Sequence, residues 1–308
     1  FGSNFKELGL LKDQLYEIVV AGNSTMRDIM FDLNVQSIGQ KPYKSIVEKE
    51  WLGGKRGTTS LNTNARELGL RANPKARVYS LPLIASHVGA DIAADLVAVD
   101  MQKQEGIVML VDVGTNTEVV VSKNGNLTAA SCPAGPAFEG GGITYGMPGY
   151  EGAIESFNWD KGNKSYKTIG DEEPQGICGS GLIDILAELL LNEQMTTMGV
   201  FPNRQQFLPI VANPEITISR EDASNLAQAK AANFCGQLIV MREAGVLPRD
   251  IEKLYLAGGF ANYVNVHNAI KIGFLAPVEE KKIVKVGNAA VQGAREVLLS
   301  RRRRESIE

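Results

Sequence analysis

LVDVGTNTEVVV, residues 110–121, reads as two short buried strands joined by a tight turn. Asp112 lies at the end of the first strand, and Gly114, Thr115, Asn116 and Thr117 follow in the turn. A turn of this composition suits a phosphate. Gly114 lets the backbone approach a ligand closely, and the Thr115 hydroxyl and the turn's N–H groups can donate to phosphate oxygens. Asp112 is placed to hold a Mg2+ ion through water or to orient an attacking water, and Glu118 can join the ion's shell. Taken alone, the same residues also fit an ordinary hairpin.

The flanking sequence extends the pattern. GIVMLVDVG (106–114), TEVVVSKNG (117–125) and NLTAAS (126–131) are three consecutive strands, with Asn124-Gly125 as a hairpin turn. AGPAFEGGG (134–142) is a loop that carries Glu139, Gly140 and Gly141, and residues 158–172 are polar with another turn. GICGSGL (176–182) puts Gly179, Ser180 and Gly181 at the start of a helix reaching about 195, where free N–H groups and the helix dipole favour an anion. Ser219 followed by Asp222 is a capping box opening a long alanine-rich helix. KLYLAGGF (253–260) is a strand running into Gly258-Gly259, and with Phe260 and Asn262 it offers a place for an adenine or ribose against the backbone. KIVKVGN (282–288) and AAVQGAREVLL (289–299) are a last strand and helix. Four glycine turns, each beside a buried strand or opening a helix, favour one shared phosphate and nucleoside site.

Towards the N-terminus, residues 5–15 read as a short helix and YEIVV (16–20) as a strand. A helix follows, capped by Asn23 or Ser24, with Met26, Ile29, Met30 and Leu33 as its apolar face. Residues 36–76 are less regular, and 49–60 read as an exposed excursion. ARVYSLP (76–82) is a strand and residues 87–100 a helix. The layout of 17–26 matches 253–263, and that of 77–91 matches 282–296: strand, small residues, helix start. The echo implies two related halves, divided into residues 1–103 and 104–308. The first half has no counterpart of the 106–131 meander, so it is expected to lack its opening strands.

Composition narrows the function classes. The chain has 308 residues, 44% hydrophobic and 22% charged, with a formal net charge of -3. No basic surface for a nucleic acid is indicated, and the one basic run, Arg301 to Arg304, reads as a solvated helix end. Cys132, Cys178 and Cys235 form no C-x-x-C pair, which argues against a cluster built by this chain and fits a reducing cytoplasm. No apolar run is long enough to span a bilayer. His87 and His267 have no ligand spacing and read as structural.

With these motifs in order, the chain resembles the actin, heat-shock chaperone and sugar kinase superfamily, residues 110–118 matching its second phosphate motif and 256–262 its adenosine motif. More specifically, VAGNSTM (20–26), LPLIASHVGADIAADL (81–96), LVDVGTNTE (110–118), CPAGPAFEGGGITYGMPGYEGAIE (132–155), GICGSGLIDILAELL (176–190), LAGGFANY (256–263) and VGNAAVQGA (286–294) resemble the reductive activators of corrinoid proteins. The resemblance implies an α/β fold of two actin-like, ribonuclease H-like lobes, with mixed sheets flanked by helices and a nucleotide cleft between them. It implies ATP and Mg2+ as ligands, a corrinoid protein as partner, a homodimer, and ATP-driven reduction of Co(II) corrinoid to Co(I). It also implies a [2Fe–2S] domain and a first phosphate hairpin upstream, so this chain is expected to be a C-terminal portion of such an activator. Two alternatives remain at this level: a docking module without turnover, and a small-molecule kinase of the same superfamily.

Overall fold

The computed structural model describes residues 7, 9–213 and 215–308. Most of the helix expected over 5–15 falls on residues 5, 6 and 8, outside the described residues, or on Lys12–Gln14, which form a single 3-10 turn. The chain packs as two compact units, Phe1–Lys103 with Asn288–Glu308, and Gln104–Gly287. A division at 103/104 assigns residues 288–308 to the second lobe, whereas packing groups them with the first unit.

In the second unit the meander forms as the alternation dictates: β4 (Ile107–Val113), β5 (Thr117–Lys123) and β6 (Asn126–Cys132) pair antiparallel in sequence. β12 (Lys253–Ala257) joins β4 in parallel and β13 (Ile283–Gly287) joins β12 in parallel, giving the order β13-β12-β4-β5-β6. This is the mixed sheet of the actin-like fold. Its inward face carries Met109, Val111, Val113, Val119 and Val121, all buried. Against the core lies α4 (Gly179–Leu191), whose Leu182, Ile183, Ile185 and Leu189 are each 0–1% exposed. Burial on this scale is worth about 1.5–3 kcal/mol per aliphatic side chain. α5 (Arg220–Glu243) packs on β5 and β6. It approaches closely because it has glycine at 236, where a Cβ would lie 1.9 Å from the Cys132 sulfur.

The first unit has its own sheet in the order β1-β3-β2, from β1 (Glu17–Val20), β2 (Leu61–Asn64) and β3 (Arg77–Ser80). β1 and β3 are parallel, as β12 and β13 are, so the strand pairs matched by the internal echo adopt the same relation. α3 (Ala90–Ala98) packs against α7 (Ala289–Leu299) within this unit.

Several local expectations are corrected. α1 (Ser24–Met30) is capped by Asn23, whose side chain accepts from the Met26 N–H, but only half of its expected apolar face is turned inward: Met30 and Leu33 pack partly buried against the first unit's core, while Met26 is 67% and Ile29 59% exposed. Arg27 and Asp28 are buried instead. The guanidinium donates to the carbonyls of Thr59 (2.9 Å) and Leu81 (3.3 Å) and to Asp28 (2.7 Å), so the buried charge is satisfied. The stretch read as irregular contains α2 (Ile46–Leu52) and β2. The polar region at 158–172 contains most of a hairpin, β7 (Ala153–Asp160) and β8 (Asn163–Thr168), with β9 (Gly176–Ile177) on its other edge. β10 (Phe207–Val211) and β11 (Ile216–Ser219) form a further antiparallel pair. The basic run is not a free end. In α8 (Arg301–Glu305), Arg303 pairs with Asp100 and, at 2.8 Å, with Glu296, while Arg304 pairs with Glu17 at 2.7 Å and lies over the Tyr79 ring.

Candidate functional site

The candidate residues all lie in the second unit. The β4–β5 turn closes when the Gly114 N–H donates to the Asn116 carbonyl at 2.9 Å. Asp112 and Glu118 stand opposite each other in the antiparallel register. Side chains alternate along a strand, so these two carboxylates share one face of the sheet. Thr117, one residue away from Glu118, is on the other face: it is fully buried on the side of Val119 and Val121, and its Oγ1 has no hydrogen-bond partner. Glu118 is buried and accepts from Ser131 Oγ at 2.8 Å.

Three other segments meet this turn. β12 lies beside β4 with Ala257 opposite Asp112, so Gly258 falls against the end of β4. Gly258 has φ +120°, and a Cβ there would lie 2.2 Å from the Val113 carbonyl oxygen. The glycine-rich loop reaches the turn from another side: Thr115 Oγ1 donates to Glu139 at 2.5 Å, and the Gly135 N–H donates to the Thr115 carbonyl at 2.8 Å. The base of that loop is held by Phe138, stacked edge-on to Phe274 with ring centroids 4.8 Å apart. The Phe138 carbonyl oxygen in turn lies 2.4 Å from where a Gly179 Cβ would be, and the Phe260 ring is 3.3 Å from the same point. The start of α4, the glycine loop and the Gly258–Phe260 turn therefore touch at Gly179.

The N-terminus of α4 is buried at Gly179, Ser180 and Gly181 and has no side-chain cap. A helix start carries roughly half a positive charge on unsatisfied N–H groups, so a buried one without a cap suits an anion. Ser180 and Gly181 have structural tasks as well. Ser180 Oγ donates to the Glu155 carbonyl at 2.8 Å, and a Cβ on Gly181 would lie 2.2 Å from the Ile154 carbonyl. Gly140 and Gly141 fold the loop on itself: their Cβ atoms would lie 2.6 Å from the Met147 nitrogen and 2.8 Å from the Pro136 ring. Gly259 is open, with nothing within 4 Å of an added Cβ, and Asn262 stands beside Gly287.

Asp112, Gly114, Thr115, Glu139, Gly179, Gly258 and Phe260 are thus brought together, while Thr117 is turned away. Ser131 was not singled out by the sequence reading. Counting back from the Asn124-Gly125 turn pairs 118 with 131, so its contact with Glu118 was within reach of register arithmetic. Among the described residues no group of three or more His, Cys, Asp or Glu side chains could hold a metal ion, and no helix is long and apolar enough to cross a membrane.

Comparison with known proteins places this geometry in a family. The model for the C-terminal domain of RACo, the ASKHA domain, matches residues 106–308, and that for the RACo middle region matches residues 2–104. The chain belongs to the RACo family. A corrinoid activation enzyme, RamQ, of Eubacterium limosum is 33% identical over 320 positions, covering 96% of this chain and 52% of that protein. A [Co(II) methylated amine-specific corrinoid protein] reductase of Methanosarcina barkeri is 29% identical, covering 73% of this chain and 45% of its own. A solved reductive activator for corrinoid, iron–sulfur protein superposes with a TM-score of 0.88 at 32% identity, covering 99% of this chain and 50% of that one. The chain spans about half the length of the RACo relatives it matches.

Proposed function

We propose that this chain supplies the nucleotide-handling part of an ATP-dependent activator that drives reduction of Co(II) corrinoid to Co(I) in a corrinoid-dependent methyltransferase system. The observation that carries the reading is the meeting, within one unit, of the Asp112 turn, the uncapped start of α4 and the Gly258 turn. Substrate and partner follow from the relatives, which include a corrinoid activation enzyme and a corrinoid protein reductase.

The residues present fit ATP and Mg2+. The close approaches at Gly179 and Gly258 keep the turns free of side chains. Magnesium bound with phosphate takes only one or two protein carboxylates and keeps several waters, which the Asp112–Glu118 pair can provide. ATP, when bound, supplies the free energy of phosphoanhydride cleavage. The N–H groups of Thr115, Asn116 and Gly179 would donate to phosphate oxygens, and Glu139 fixes the Thr115 hydroxyl. Asp112 orients water at the strand end, with Glu118 held beside it by Ser131. The Gly258–Phe260 turn lies against the nucleoside. The [2Fe–2S] donor implied by the family is assigned to no residue of this chain. A corrinoid protein partner, a homodimer and a cytoplasmic setting complete the proposal.

Calorimetric melting tests it. Mg-ATP at about a hundred times its Kd is expected to stabilise the chain by about 2.7 kcal/mol. In the activator, Asp112→Ala should lower phosphate release by roughly 100- to 1,000-fold, the range found when a transition-state-stabilising group is removed. Melting that is indifferent to saturating Mg-ATP, or full turnover by D112A, would overturn the assignment.

A further inference from the structure

Asp222 has two tasks, only one of which belongs to its helix. As the third residue of α5 it completes the capping box: its Oδ2 accepts from the Ser219 N–H at 2.9 Å, and its own N–H donates to Ser219 Oγ at 3.0 Å. Helix capping needs nothing more. Yet its other oxygen, Oδ1, accepts two bonds from Thr144, 78 residues earlier: from the backbone N–H at 2.8 Å and from Oγ1 at 3.1 Å. Asp222 is only 2% exposed, so its charge is stabilised by these donors rather than by water. Three residues on, along the same face of α5, Asn225 Nδ2 donates to the Gly142 carbonyl at 3.0 Å.

These contacts grip a loop that is closed on itself. Gly140 lies against Gly146 and Met147, and the Gly146 N–H donates to the Ile143 carbonyl at 3.0 Å. The loop is compact and its ends adjoin, and the packing of Gly140 on Gly146 and Met147 ties position 139 to the stretch held at 142 and 144. Glu139 is the loop residue that takes the Thr115 hydroxyl. We propose that Asp222, seconded by Asn225, is a positioning residue for the nucleotide site: it moors the 139–147 loop to α5 and thereby sets Glu139 and Thr115 for phosphate. The proposal rests on the nucleotide reading above.

The test compares three variants of the chain by hydrogen exchange of residues 139–147 and by Mg-ATP titration. Asp222→Asn replaces one acceptor oxygen by an amide donor, and Thr144→Val removes one of the two loop bonds without touching the helix. Ser219→Ala weakens the cap and leaves the Thr144 bonds in place. D222N is expected to speed loop exchange and to weaken Mg-ATP binding about tenfold, as loss of a hydrogen bond to a charged group does. T144V should move both readouts in the same direction by less, and it remains informative should D222N fail to fold. S219A should lower the melting temperature while leaving loop exchange and affinity as in the wild type. Unchanged loop exchange in D222N and T144V, a looser loop with unchanged affinity, or an S219A variant that loses affinity equally would each overturn the proposal. A wild type that binds no Mg-ATP would remove the nucleotide reading and this role together, while loop exchange would still report the mooring by itself.

Discussion

Gly258 and Gly259 are indistinguishable in one dimension: both follow a strand, and both read as room for a nucleoside. The fold separates them. Gly258 is at φ +120° with the Val113 carbonyl 2.2 Å from a would-be Cβ, whereas nothing lies within 4 Å at Gly259. Gly258→Ala is therefore expected to cost about 1–3 kcal/mol from overpacking alone, with a further penalty for the positive φ. Gly259→Ala should stay within about 0.5 kcal/mol of wild type, as open surface positions do. Urea midpoints of the two variants check this, and equal midpoints would refute it. Thr117 teaches the same lesson. The sequence placed it in the candidate phosphate turn with Thr115, but strand alternation turns it into the core with Val119 and Val121.

At the scale of elements, α4, α5 and the β4–β6 meander were readable because each has an uninterrupted period, a cap or a turn signal within a few residues. α1 was readable as a helix but only partly in its orientation. Of its four expected apolar positions Met30 and Leu33 reach the core, and the distant carbonyls of Thr59 and Leu81 explain why Arg27 is inside in place of Met26 and Ile29. α8 likewise looked like a solvated end because, besides the nearby Glu296, its partners Asp100 and Glu17 lie 203 and 287 positions away. The hydrogen bond from Arg303, with Lys103 second, holds the Asp100 carboxyl below the usual carboxylate range. A group with a depressed value contributes its stability in full above the ordinary range and loses it as pH falls through the lowered value. Protection of the amides of residues 301–305 against hydrogen exchange, taken relative to the intrinsic exchange rate at each pH, should accordingly fall in acid in the wild type. In Asp100→Asn protection should already be lowered at neutral pH and change little on acidification. A variant whose protection tracks the wild type at every pH would show that the pair does not anchor α8.

Across the whole molecule, the C-terminal segment belongs with residues far from it in sequence. Gly293 has the Ala94 carbonyl oxygen 1.8 Å from a would-be Cβ, so α7 and α3 make contact backbone to backbone, and the Tyr79 hydroxyl donates to Glu308 at 2.8 Å. Deleting residues 288–308 should leave the second unit's meander protected while residues 77–98 become sensitive to proteolysis, because the buried face of α3 loses its cover. Equal protection of both regions would contradict the packing. The actin-like class and the order of the glycine turns were already present in the chain, since hydrophobic period, glycine placement and capping are short-range signals carried by neighbouring residues. Which glycines are obligatory, which face Thr117 and Arg27 take, and that Asp222 reaches Thr144 depended on register and long-range packing. Those are set by segments tens to hundreds of residues apart, and no local pattern records them.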